Sequence, residues 1–225
     1  MPDDPVPDDA LRAWLRVRGT VPWAELGSAE TRVIARRDGA AHHIRTVERA
    51  RSSARAAGLL AALHQVRQDA AAGHDLDFAL LSDWQRLVLA VADAPYRTTD
   101  AYAKRGRERY GPRPLEEFDA RLREAAPGPV PLPSRAARAY LDVCFYHPFA
   151  DGNGRAALLA LLFVLAREEV VLDHLGPLPA TARRADDPDS AVELVRLLHV
   201  LIRQTSGRAG TAEQGRRGSG RPSAG

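Results

Sequence analysis

LDVCFYHPFADGNGRAALLALLFVLA, residues 141–166, holds two apolar stretches on either side of nine residues that no buried core needs. LDVCFY and AALLALLFVLA carry helical spacing and almost no charge. Between them stand a histidine, an acid, two glycines, an asparagine and an arginine. Pro148 disfavours α conformation at the residue before it, so the first helix is expected to stop at His147. Gly152 and Gly154 allow positive φ and close backbone approach where the second helix begins. The stretch therefore predicts two packed helices joined by a short, chemically loaded turn.

The rest of the chain agrees with a helical fold. Alanine, leucine and arginine dominate its 225 residues and aromatics are only 6%, a balance that favours helix over sheet. Asp8 or Asp9 can cap a short helix ended by Gly19. Helical spacing runs from about 41 to 72, with Gly58 placed to bend or divide it. Ser82 is expected to cap the helix before Pro95, and Ser134 the one that ends at residue 146. In that last helix Ala137, Leu141 and Cys144 read as inward, and Arg135, Arg138 and Asp142 as outward. A further helix covers DSAVELVRLLHVLIRQ. No strand alternation persists, so the fold class is all-α. Expected boundaries are a flexible leader over 1–9, a helical extension over 10–75, a core over 76–205 and a disordered basic tail over 206–225.

Charge and composition exclude several functions. The net charge is +3, and residues 204–225 supply all of it through Arg208, Arg216, Arg217 and Arg221 against Glu213. The remainder is neutral, which argues against a nucleic-acid surface on the folded body. The longest apolar run, 156–166, is 11 residues, too short for a membrane span. The acidic, Pro-rich start MPDDPVPDDA lacks the basic and apolar parts of a secretory signal, and Cys144 is the sole cysteine. A cytoplasmic location is expected. His42 and His43 are adjacent and cannot share a helical face, so neither is expected to hold a metal.

The nine residues suggest chemistry. His147 at a helix end can turn its ring into the gap between the helices. Phe149 should anchor the loop inward. The first turn of the second helix has unpaired N–H groups and a positive dipole end, which suit an anion. Arg155 adds a guanidinium fork matched to phosphate. Asp151 beside an anion is repulsive unless a cation bridges them, and Mg²⁺ does so with one carboxylate, phosphate oxygens and water. Singly, Asp151 also fits a helix cap, Arg155 a solvated first-turn residue and His147 a helix-end histidine. Together they read as a base, a metal ligand and a phosphate cradle.

HPFADGNGR resembles the Fic-family signature HPF-x-[D/E]-G-N-G-R and matches it at every specified position. The resemblance implies an all-helical Fic-type bundle with a small β-hairpin, the flap, near the site. It implies transfer of AMP from ATP to a Ser, Thr or Tyr hydroxyl of a target protein, with a hydroxyl-bearing small molecule as the alternative target. His147 would take the hydroxyl proton, and its removal should cost roughly 10²–10⁴-fold. Asp151 would hold Mg²⁺. Gly152, Asn153 and Gly154 would line the α-phosphate with main-chain and amide donors, and Arg155 would grip the outer phosphates. Tyr96, Tyr102, Lys104 and Arg105, in PYRTTDAYAKRGRERYG, are candidate flap and target contacts.

Two departures qualify this. Many members continue to G-N-G-R-x-x-R, and here the second arginine is Leu158. Many carry an inhibitory [S/T]-x-x-x-E-[G/N] helix, and no glutamate here is followed by Gly or Asn. Inhibition would then fall to a separate partner. A different phosphate-bearing group from another nucleotide or diphosphate donor is the alternative, as is a drifted nucleotide-binding regulatory module. The phosphotransferase branch of the superfamily usually has Lys where Gly154 stands.

Overall fold

The computed structural model describes residues 8–27, 33–35, 37–180 and 183–218; most of the leader (1–7) and the end of the tail (219–225) lie outside the described residues. The elements in chain order are α1 (Ala10–Arg18), β1 (Val33–Ile34), α2 (Gly39–His43), a π-helical turn (Ile44–Glu48), α3 (Arg49–Arg51), α4 (Ser53–Ala71) and α5 (Phe78–Leu89). They continue with β2 (Ala101–Ala103), β3 (Glu108–Tyr110), α6 (Leu115–Arg123), α7 (Leu132–Tyr146), α8 (Asn153–Arg167), β4 (Val170–Val171), α9 (Pro177–Ala180) and α10 (Pro188–Gly218).

α7 and α8 form the central helical hairpin. α8 is apolar nearly all round, and Ala156 through Leu165 are all buried, as expected of a helix enclosed on every side. α4 and α5 pack against α8, while α1, α6 and α10 pack against α7.

Enclosure overturns one expectation. Arg135, Arg138 and Asp142 are not on a solvated face: they are 4%, 8% and 0% exposed. α1 and α6 cover that side of α7, and the polar groups are satisfied internally. Asp142 Oδ1 accepts from Trp14 Nε1 at 2.9 Å and from Arg18 Nε at 2.8 Å. Arg138 donates to the Glu124 carbonyl at 2.6 Å, Arg135 donates to the Ala125 carbonyl at 3.0 Å, and Arg135 also pairs with Glu168.

Helix starts also differ from the sequence reading. Asp77, not Ser82, caps α5 by accepting from the Leu80 amide at 2.9 Å, and Ser82 donates instead to the Ala94 carbonyl. α7 begins at Leu132, because Pro133 is tolerated in a first turn, and Ser134 donates to the Leu26 carbonyl. The stretch expected as one helix over 41–72 breaks at extended Ser52, which caps α4. Gly58 does not divide α4. It lets α5 approach, since a Cβ there would lie 2.5 Å from the Leu87 carbonyl oxygen.

Four short strands appear among the described residues. β2 and β3 pair antiparallel, Tyr102 opposite Arg109, around a tip with positive φ at Lys104, Arg105 and Gly106. This is the expected flap, displaced to the C-terminal part of YRTTDAY. β1 and β4 form a two-residue parallel pair that lacks enough residues to show alternation. α10 runs on past the boundary expected at 206. Thr205 donates to Asp173 Oδ1 at 3.0 Å and Arg208 Nη2 to the same oxygen at 2.7 Å, which ties the helix down there. No described helix is long and apolar enough to cross a membrane.

Candidate active site

The turn between α7 and α8 is built as follows. α7 ends at His147, whose φ of 51° and ψ of 54° are left-handed. Pro148 disfavours the helical alternative. Arg97 then clamps the turn from outside: Nε donates to the His147 carbonyl at 2.5 Å and Nη2 to the Tyr146 carbonyl at 2.7 Å. The Arg97 amide donates to the Pro148 carbonyl at 2.9 Å. Phe149 is 1% exposed and stacks on Phe78 at 5.5 Å, which anchors the loop to the core.

Asn153 closes the loop with both ends of its amide. Oδ1 accepts from the Phe149 amide at 2.9 Å and Nδ2 donates to the Phe149 carbonyl at 2.8 Å. Both ends of the Asn153 side chain thus hold the loop's shape, and its main-chain N–H lies in the first turn of α8. Gln85, fully buried, donates to the Asp151 carbonyl at 2.5 Å. Gly152 has φ +76°, and a Cβ on it would meet Gln85 Nε2 at 2.5 Å, so glycine is required there twice over. Nothing lies within 4 Å of a Cβ at Gly154, which leaves the mouth of the cradle open.

The imidazole is held on both sides. Its Nδ1 lies 3.3 Å from the Cys144 carbonyl, an acceptor only, so Nδ1 carries the proton and Nε2 is left as the acceptor. Tyr110 of β3 stacks flat on the ring, 4.4 Å between centroids and 10° between planes. Burial lowers the His147 pKa below the usual histidine value, and the Arg97 charge adds to this. The ring is therefore neutral near pH 7, the state a general base needs.

His147, Asp151, Gly152, Asn153, Gly154, Arg155, Leu158 and Tyr102 line one cavity of about 520 Å³. Asp151 is 74% exposed on its side chain; Oδ1 accepts from the Gly152 amide at 2.6 Å and Oδ2 lies 3.7 Å from Arg155 Nη2. Among the described residues no group of three or more His, Cys, Asp or Glu converges on a point. The donor set fits Mg²⁺ held by one carboxylate, with the remaining oxygens coming from phosphate and water.

The flap candidates separate. Tyr102 is 55% exposed and lines the cavity. Tyr96 instead packs in an aromatic cluster with Phe78 and Phe118, and burial pushes its hydroxyl up to about 12. Lys104 pairs with Glu108 at 2.6 Å and Arg105 sits exposed at the tip; neither lines the cavity. Sequence reading missed Arg97, Tyr110 and Gln85. The one available signal was Gln85, a polar residue beside Trp84 on the buried stripe of α5; Arg97 and Tyr110 act through chain segments that only the fold brings to the loop.

A neutral imidazole and the amino end of α8 meet on one helical hairpin, with a β-hairpin at their side. Residues 75–165 match the family model described as Fic/DOC family, so this part of the chain is a Fic domain. The chain is similar in fold to Fic-1 from C. elegans, with 19% identity and a TM-score of 0.57 over 90% of this chain and 72% of that one. It is also similar to a Fic domain containing signaling protein from Bacteroides thetaiotaomicron VPI-5482, at 17% identity and a TM-score of 0.51, covering 72% of each chain. No curated protein matches the sequence.

Proposed function

We propose that this protein transfers AMP from ATP to a Ser, Thr or Tyr hydroxyl of a target protein, acting in the cytoplasm. The observation that carries this reading is His147: a buried, neutral imidazole whose Nδ1 is committed to the Cys144 carbonyl, on the same cavity as the amino end of α8. Nε2 accepts the proton of the attacking hydroxyl. The main-chain N–H groups of Asn153 and Gly154, at the first two positions of α8, have no intrahelical acceptor and face the charge that develops on the α-phosphate. Arg155 binds phosphate oxygens. Mg²⁺ held by Asp151 would neutralise phosphate charge. Tyr102, exposed on β2 and lining the cavity, stands where a target segment would lie along the flap.

Leu158 supports a second reading, in which the donor is a different nucleotide or diphosphate, because an apolar residue lines the cavity one helical turn beyond Arg155. One experiment separates them. The protein and its His147→Ala variant are incubated with Mg²⁺, a candidate proteome and each of ATP, GTP, CTP and UTP, and products are identified by mass. AMP adducts from the wild type alone support the first reading; adducts of another group support the second. Equal labelling by both proteins overturns the His147 mechanism, and no adduct from any nucleotide overturns the transferase reading.

A further inference from the structure

Gln85 puts an amide on the buried stripe of α5, among Leu81, Trp84 and Val88, and it has no exposed surface. Its Nε2 donates to the Asp151 carbonyl at 2.5 Å, whereas Oε1 finds no donor among the described residues. Turning the amide over would set Oε1 against the Asp151 carbonyl oxygen, two acceptors facing each other, so Nε2 is the atom at that carbonyl. A buried amide oxygen left unpaired costs stability, and an apolar side chain of similar volume would avoid the cost. Packing therefore gives no reason for a glutamine here. What it contributes is one bond to the turn.

That bond reaches the Asp151 carboxylate through a single peptide plane. In a trans peptide the carbonyl and the following N–H point in opposite directions. With the Asp151 carbonyl pinned to Gln85 on the core side, the Gly152 N–H is turned the other way, and there it donates to Asp151 Oδ1 at 2.6 Å. The Asp151 side chain is 74% exposed, so packing does little to hold it. Its other contact, Arg155 Nη2 to Oδ2, is long at 3.7 Å. The Gly152 amide is thus the close restraint on the carboxylate, and Gln85 sets the direction of that amide from the rigid stripe of a helix.

We propose that Gln85 is a positioning residue for the Asp151 carboxylate: it fixes the 151–152 peptide so that Oδ1 is tied and Oδ2 is left to a divalent cation. This rests on the reading of Asp151 as the Mg²⁺ ligand. Gln85 itself touches neither metal nor nucleotide, so its contribution belongs to Mg²⁺-dependent binding alone.

Calorimetric titration of the full chain with ATP, in the presence and absence of Mg²⁺, tests this in the wild type, Gln85→Met, Asp151→Asn and the double variant. Gln85→Met keeps the volume and removes the donor, and Gln85→Leu serves as a second donor-free variant. Each is expected to weaken Mg²⁺–ATP binding roughly 10-fold, the scale seen when a group that orients a metal ligand is removed. Binding of ATP without Mg²⁺ should change less than about twofold, since the α8 amino end is untouched. In the Asp151→Asn background Gln85→Met should add less than about twofold, because its route to the metal is gone. The thermal midpoint should stay close to that of the wild type, as the unpaired Oε1 leaves together with the bond.

A lowered midpoint with equal loss of affinity with and without Mg²⁺ in both donor-free variants would make Gln85 a structural residue and overturn the proposal. Full additivity in the double variant overturns it as well, because Gln85 would then act by another route. If Mg²⁺ brings the wild type no gain in ATP affinity, the reading of Asp151 falls and this one with it. A gain that Asp151→Asn abolishes and Gln85→Met retains sinks this one alone.

Discussion

His147 occupies left-handed backbone that a non-glycine residue adopts at a cost of about 1–2 kcal/mol. The cost is borne because Pro148 disfavours the helical alternative and Arg97 bonds the two carbonyls that the turn exposes. The result is a ring stacked on Tyr110 and tied at Nδ1. Its lowered pKa has a definite sign. A base whose folded pKa is depressed stays neutral as the pH falls past the ordinary histidine value of about 6.5 and is lost only when the pH passes through its own, lower value. The acid limb of kcat/KM, which reports the free enzyme, should therefore fall below pH 6.5. Tyr110→Ala, which uncovers the ring, should move that limb upward; a wild-type limb at or above 6.5 contradicts the buried base. Cys144 shows the same burial at work without a function: its thiol is pushed up to about 12 and stays protonated. At this scale the motif residues were legible because each has a chemical signature. Tyr110 and Arg97 were not, because an isolated tyrosine or arginine has no signature until its partner is known.

The amino end of α8 is the element on which the proposed chemistry turns, and its neighbours decide where it sits. α4 and α5 pack together through Gly58, and the close approach there sets how α5 brings Gln85 to Asp151. Gly58→Ala puts two effects in opposition. Alanine gains up to about 1 kcal/mol of helix propensity over glycine, while a Cβ 2.5 Å from a main-chain oxygen must push two helices apart, at about 1–3 kcal/mol. The clash involves backbone and cannot rotate away, so it should win, with net destabilisation of about 1 kcal/mol. A urea unfolding midpoint higher than that of the wild type would show that the approach is looser than described. In the sequence Gly58 reads as a helix weak point, since glycine has one propensity whether or not another helix lies against it. The helix caps misread for the same reason: Ser82 and Ser134 are good caps locally, but Ala94 and Leu26 supply carbonyls from elsewhere in the fold.

Across the whole molecule, the N-terminal helix is joined to the central hairpin through one buried charge. Asp142 has no exposed surface and receives Trp14, Arg18 Nε and Arg18 Nη2, while Arg18 also reaches Glu124 at 2.8 Å. Removing one member strands the others away from water, so Asp142→Ala should cost about 3–5 kcal/mol of unfolding free energy. Trp14→Phe, which deletes a single N–H, should cost less. A loss below about 1 kcal/mol for Asp142→Ala in denaturant titration would mean that water reaches the pair. The sequence by itself determined the helical class, the α7–turn–α8 hairpin and the motif residues of the turn, most of which line one cavity. Those depend on local events, namely helical spacing, proline before a helix break and glycine at a helix start. Tertiary structure alone decided that the polar side of α7 is interior, that the Asn153 amide bonds the Phe149 backbone to close the loop, and that His43, Glu48 and Arg51 share a cavity with a motif a hundred residues away. Burial and convergence are properties of what surrounds a residue, and a one-dimensional pattern records only what adjoins it.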